Sequence, residues 1–369
     1  MITGTAKTAL RHAALLVLGI AAISPAAYAD GTISACPTTV TGPGTWTVTQ
    51  NLTATGTCIT IQGNGVAIDL QGHTITALGT GADFGITDSG GCASPPCQQN
   101  IIIANGTITG FFIGIGLEHT DYATIANMTV IGGRPWGIRL RAHSVITDSQ
   151  ANQGVGGKDA MLFLGDHNTV NNSKANDNLG TGIAFAGNDS TVNNSKANGN
   201  ADAGIFSNGT VTVSDSQANN NGVVGMAFNQ SATVSNSQAN NTKCLVTEIF
   251  FPCGDGMQFR TGGGTVNNSQ ANGNAGGGMD FLGFGSGIDF LGGGNTVNNS
   301  QANGNKANGI SIDGSGNVLA GNTANGNSVV GISVACPSNV FDNTAKGNPG
   351  GNIVTSGTDC VRLGNNPAP

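Results

Sequence analysis

Charge is what this chain has least of. Asp, Glu, Lys and Arg make up 9% of its 369 residues, and aromatic side chains 5%. Chains that stay disordered usually combine high charge with few β-branched residues. Here charge is low and Val, Ile and Thr recur at regular spacing, which points to ordered repeats. Basic residues are the scarcer sign: 13 Lys and Arg stand against 20 Asp and Glu, a net charge of −7. That balance disfavours nucleic acid and anionic membrane as partners. Beyond residue 29 no apolar stretch is long enough to cross a bilayer, so membrane insertion is not expected.

The amino terminus reads as a signal peptide covering residues 1–29. Lys7 and Arg11 give it a positive start, Ala13 to Ile23 is a short apolar run, and Ala27-Tyr28-Ala29 supplies a small-residue cleavage pattern. A competing lipoprotein box, Ile33-Ser34-Ala35-Cys36, is set apart from the apolar run by polar residues, and acylation there would leave an odd number of cysteines. The mature chain, 30–369, is then a single domain outside the cytoplasm, secreted or periplasmic. It keeps 11 basic residues against 20 acidic ones, a net charge of −9.

Nearly all of that domain is one repeat. TVNNSKAN at 169–176 recurs at 191–198, and close copies stand at 233–240, 265–272 and 296–303. Anchored on their Ala, the copies fall at 151, 175, 197, 218, 239, 271, 302, 324 and 345, and larger apolar residues continue the series back through Val130, Ile108 and Ile75. The step between anchors is nearly constant, with two longer intervals late in the chain (239 to 271 and 271 to 302) and one early (75 to 108). Each copy also holds a Gly-apolar-x-apolar segment such as Gly182-Ile183-Ala184-Phe185. Apolar residues alternate within both segments, which is the strand period. Short strands, Gly and Asn turns and a step of about 22 residues describe a solenoid of parallel strands, each coil burying its apolar residues only by stacking on its neighbours. At ~4.8 Å per coil, the expected rod is roughly 55–60 Å long.

The small anchor Ala is expected to face a narrow interior. Asn or Asp recurs three residues before it (Asn172, Asn194, Asp215) and Asn one residue after it (Asn176, Asn198, Asn219). Both columns read as structural ladders of stacked amides rather than ligand sites. Cys36 and Cys58 stand one repeat step apart, as do Cys336 and Cys360, so each pair is expected to staple adjacent coils at one end of the rod. Cys92–Cys97 and Cys244–Cys253 are expected to close two inserted loops that account for two of the long intervals. A zinc site is the weaker reading, since no His stands at ligand spacing from these cysteines.

The stretch GTWTVTQNLTATGTCITIQGNGVAIDLQGHTI (44–75) resembles the opening coils of bacterial pectate-lyase-like proteins, and the NNSxANxN…GIxF copies resemble the parallel β-helix repeat of that superfamily. The resemblance covers essentially residues 40–360. It implies an all-β fold, a right-handed parallel β-helix of about 12 coils, and leaves activity open, because such folds carry lyases, hydrolases, epimerases and adhesins alike. The adjacent Asp pair with Gly-His-Gly of polygalacturonase-like enzymes and the Asp-Pro-His-Asp of mannuronan epimerases are both missing.

Ionisable residues crowd into 118–167. In register with the repeat, Tyr122, His143 and His167 share one corner of three successive coils, and Arg139 and Arg141 alternate with Ile138 and Leu140, so both point outward. Glu118 falls beside Arg141 one coil earlier. As a catalytic set these residues suit a sugar acid: Arg139 and Arg141 clamp a carboxylate while His143, His167 or Tyr122 takes a proton. The plainer reading is a surface ion pair with ordinary corner histidines. A nine-residue duplication over 275–292 resembles the calcium-binding nonapeptide, but two Asp do not supply the roughly six to eight oxygens calcium takes, so no cofactor is expected. One Thr per coil, as at Thr169 and Thr191, falls short of the paired Thr column of an ice-binding face. The chain is therefore expected to act on or bind a polysaccharide, lyase-like if catalytic. The alternative is a structural or adhesive surface rod, and the oligomeric state stays open.

Overall fold

The computed structural model describes residues 30–79, 81–90, 98–243, 254–275, 279–280 and 292–366. The expected signal peptide, the Cys92–Cys97 and Cys244–Cys253 pairs and most of the 275–292 duplication lie outside these residues.

The repeat folds as an all-β, right-handed parallel solenoid of about 13 turns, each of about 22 residues. Its strands stack into one sheet of 18 strands and a second of 14, with a two-stranded patch made by Gln98–Gln99 and Thr120–Asp121. The expected anchors stand in register: Ile75 opposite Ile108, Ile108 opposite Val130, Val130 opposite Ala151. From there a bridge residue beside each anchor, Gln150 to Lys174 to Lys196 to Gln217, carries the same register along the rod. Leu52 pairs with Ile75, which adds a turn before the first expected anchor.

The interior follows from the anchors. Ala175, Ala197, Ala218 and Ala239 are fully buried, and Gly204 and Gly225 face them so closely that a Cβ there would come within 2.7 and 2.8 Å of Ala218 and Ala239 Cβ. Valines 170, 192, 213 and 234 form a second buried column in the first sheet. Phenylalanines fill the second sheet: the Phe163 and Phe185 rings stack at 4.9 Å, and those of Phe228 and Phe259 lie 5.0 Å apart.

Three of the asparagine columns show different physics. Asn172, Asn194 and Asn236 hold left-handed turns, with φ of 45°, 45° and 49°. They are exposed, and they link side chain to side chain on the surface, Asn194 Nδ2 donating to Asn172 Oδ1 at 3.2 Å. The ladder expected here is an exposed one, and these positions are chosen for backbone conformation, which Asn tolerates better than most residues. The half-buried column after the anchor accepts from the next coil's backbone, as Asn198 N–H donates to Asn176 Oδ1 at 2.9 Å. The fully buried ladder is a third column, Asn178, Asn200, Asn221, Asn274, Asn305 and Asn327. There Asn178 Nδ2 donates to Asn200 Oδ1 at 2.8 Å and to the Ala151 carbonyl at 3.2 Å. Buried serines (Ser173, Ser195, Ser216) add a parallel ladder, each hydroxyl accepting a backbone N–H from the neighbouring coil.

The two described disulfides stand where the spacing puts them. Cys36–Cys58 and Cys336–Cys360 join adjacent coils at either end, with Cα–Cα distances of 4.6 and 4.9 Å.

Candidate functional site

Alternation along each strand turns every second residue of the second sheet outward. Its inward column is Ile138, Met161, Ile183, Ile205, Met226 and Met257, all buried and in register. The outward column beside it runs Arg139, Leu162, Ala184, Phe206, Ala227 and Gln258. Two residues before the inward column lie Trp136, Asp159, Thr181, Ala203, Val224 and Asp255. Two residues beyond the outward column lie Arg141, Leu164, Ala186, Asn208, Asn229 and Arg260. From Arg139 to Gln258 is five strand spacings, roughly 24 Å.

The middle of this face is a groove of about 600 Å³ floored by Leu162, Ala184, Phe206 and Ala227. Asp159, Thr181 and Asp202 line one side, Asn208, Gln258 and Arg260 the other. The polar groups are held in place from below. Buried Gln258 donates through Nε2 to Asp255 Oδ2 at 3.3 Å and accepts Arg260 Nε at 3.1 Å, while Arg260 Nη1 donates to Asn229 Oδ1 at 3.1 Å. Burial lowers the Arg260 pKa from its ordinary value. On the other side burial pushes the Asp159 carboxyl above its ordinary 3.8; a hydrogen bond with Thr181 and the charge of Lys158 oppose that shift, and the charge of Asp202 adds to it. The Thr181 hydroxyl also donates to Asp202 Oδ2 at 3.5 Å, so one hydroxyl serves both carboxyls. A second groove, of about 620 Å³, follows the exposed Asn turns from Ser235 to Asp342 and has no comparable apolar floor.

The residues singled out from sequence fall at one end of the face and around its corner. Tyr122, His143 and His167 do form one column: the Tyr122 and His143 rings stack at 4.7 Å, and those of His143 and His167 at 5.0 Å. All three sit in left-handed turns, with φ of 59°, 55° and 60°. His143 Nδ1 is buried and has no hydrogen-bond partner. The two arginines point outward but each is held by a carboxylate of the chain. Arg139 Nη1 lies 2.6 Å from Glu118 Oε1, with its guanidinium 4.4 Å from the Trp136 ring centre, and Arg141 Nη1 lies 3.1 Å from Asp121 Oδ1. The expected Glu118–Arg141 pair is thus replaced, because Glu118 reaches back along the strand to Arg139 and leaves Arg141 to Asp121.

Sequence reasoning missed two features. Asp88 is buried and accepts His119 Nδ1 at 3.1 Å, the His119 N–H at 2.8 Å and the Thr120 hydroxyl at 3.0 Å, which locks this corner. Its signal was an acid at an inward position of the strand Phe84–Asp88. The groove was missed because Leu162, Ala184 and Phe206 read like core. Among the described residues no group of three or more His, Cys, Asp and Glu side chains is placed to hold a metal ion, and no helix is long and apolar enough to cross a membrane.

Residues 113–248 match the family described as right handed beta helix region. No curated protein sequence matches the chain. Among solved structures, the A-module of the Azotobacter vinelandii mannuronan C-5 epimerase AlgE6 is similar at 11% identity and a TM-score of 0.46, over 88% of this chain and 81% of that one. The pectate lyase Pel9A is similar at 18% identity and a TM-score of 0.47, over 82% and 71%. The A-module of the Azotobacter vinelandii epimerase AlgE4 is similar at 15% identity and a TM-score of 0.43, over 89% and 86%.

Proposed function

We propose, from the premise that the chain is a right-handed parallel β-helix of the pectate-lyase-like kind, that it works outside the cytoplasm and holds a polysaccharide along the outer face of its second sheet. The groove over Phe206 carries this reading. Sugar rings present apolar C–H faces and a rim of hydroxyls. Phe206 and Leu162 offer the accessible floor such faces pack on, with buried Ala184 and Ala227 beneath and beside them, and Asn208, Asp202 and Asp159 offer partners for the hydroxyls on either side. The groove runs along the rod, so an extended chain can occupy several coils in succession. The disulfides joining the end coils suit an oxidising compartment.

A lyase step at the arginine end would use Arg139 or Arg141 on a substrate carboxylate and His143, His167 or Tyr122 as base. For that, an arginine must exchange Glu118 or Asp121 for the substrate. Both internal pairs favour the second reading, a binding rod without turnover. The test is retention of the purified protein on a panel of insoluble polysaccharides, alongside an assay for released unsaturated sugar. Phe206→Ala should weaken retention roughly tenfold, the order expected for losing one aromatic platform, while leaving the melting temperature within a few degrees. Equal retention by wild type and Phe206→Ala would remove the groove from consideration. Turnover abolished by His143→Ala would establish the lyase reading.

A further inference from the structure

We infer that the glycan held in this groove is neutral, a hexose polymer without carboxylates. The inference rests on the reading of the groove as a polysaccharide site. What carries it is the charge of every ionisable group along the face. At the end nearest Trp136, Arg139 and Arg141 are each neutralised by Glu118 and Asp121 at ion-pair distance. In the middle, Asp159 and Asp202 face the floor from one side, with Lys158 exposed beside Asp159. At the far end Arg260 is the cation, and its Nε and Nη1 already donate to Gln258 and Asn229, while Asp255 lies beneath Gln258.

A polyuronate brings one carboxylate per sugar along the whole groove. It would meet two aspartates where it needs cations, and arginines already committed where cations exist. Like charges set against each other across an interface cost enough to reject a partner outright. The field of the whole chain, net −7, has the same sign as such a polymer. A neutral hexose chain meets none of this. Its hydroxyls donate to the exposed Asp202 carboxylate and the Asn208 oxygen, and the Asn208 amide donates back. Its C–H faces cover Phe206 and Leu162, the half-buried apolar side chains of the floor.

The experiment compares retention of the full mature protein on an insoluble neutral glucan with its binding to polygalacturonate and alginate, for wild type, Phe206→Ala and the double variant Asp159→Asn/Asp202→Asn. The expected result is retention on the neutral glucan, at least about tenfold weaker binding to either polyuronate, and no change in glucan retention between about 0.05 and 0.5 M salt, because no charge pair is formed. The double variant should narrow the gap by gaining affinity for the polyuronates. Polyuronate binding that equals or exceeds glucan retention, yet is lost in Phe206→Ala, would overturn the neutral class and leave the groove standing. Retention on any polymer that Phe206→Ala does not reduce, or no retention on any, would overturn the groove itself. Glucan retention that falls steeply with salt would overturn the inference as well, since it would mean that charge does the holding.

Discussion

At Asp159 the direction of the pKa shift fixes a pH dependence. Burial makes the folded protein hold this proton more tightly than the unfolded chain does. The stability gained from that proton is fully present below the ordinary value of 3.8 and is lost as pH rises through the raised folded value. Asp159→Asn removes the ionised form, so it should raise the melting temperature near pH 7 and leave it unchanged near about pH 3. No difference near neutral pH would mean that the carboxylate is well solvated in the groove. The asparagines make a second contrast. Asn200→Leu removes an amide that donates to Asn221 Oδ1 at 3.2 Å and to the Ala175 carbonyl at 2.9 Å inside the rod. It should cost about 1–3 kcal/mol. Asn194→Leu, in an exposed left-handed turn, should cost less, and Asn194→Gly should restore most of the loss because glycine adopts that conformation freely. Thermal melts of the three variants check the ordering, and a larger loss for Asn194→Leu than for Asn200→Leu would reverse the assignment of the columns. The sequence shows the same residue type in all three columns. Only the turn geometry tells a backbone-conformation asparagine from a buried donor.

At the scale of the coil, the anchor series was legible because strand alternation repeated at a near-constant step fits stacked coils and little else. The pairing of Cys36 with Cys58 and Cys336 with Cys360 followed from the same step. Each disulfide joins a terminal coil to its neighbour, and a coil in a solenoid contacts only its neighbours. Reduction should therefore loosen the end coils and leave the middle protected, with a loss of about 2–5 kcal/mol confined to the ends. Hydrogen exchange followed by peptide is the check. Faster exchange in 31–54 and 339–363 with 169–236 unchanged is expected, and uniform acceleration would mean that the ends nucleate the whole rod. The ion pairs were less legible. Register correctly put Glu118 opposite Arg141, but a flexible side chain reaches two residues along the facing strand, to Arg139, and sequence does not choose between them.

At the scale of the molecule, the rod presents faces of different chemistry that come from one repeat. The Asn-turn face bonds largely to itself. The second sheet's outer face carries an apolar floor over four coils, Leu162, Ala184, Phe206 and Ala227, and ends on Gln258 and Arg260. Charge clustering drew attention to residues 118–167 because charge is rare in this chain, and the structure puts that cluster at one end of the face rather than over its middle. The apolar floor was legible only in part: Ala184 and Phe206 hold the x of the Gly-apolar-x-apolar segment, the position that turns Arg139 outward, but an apolar residue at a single x does not show that neighbouring coils combine it into a groove. The central claim is that a sugar chain lies along this floor. A crystal structure of the protein with a short neutral hexose oligosaccharide tests it most directly. The account predicts sugar rings packed on Phe206, with hydroxyls reaching Asp202 on one side and Asn208 on the other. Sugar found instead at the Tyr122–His143–His167 corner, or along the Asn turns from Ser235 to Asp342, would contradict it.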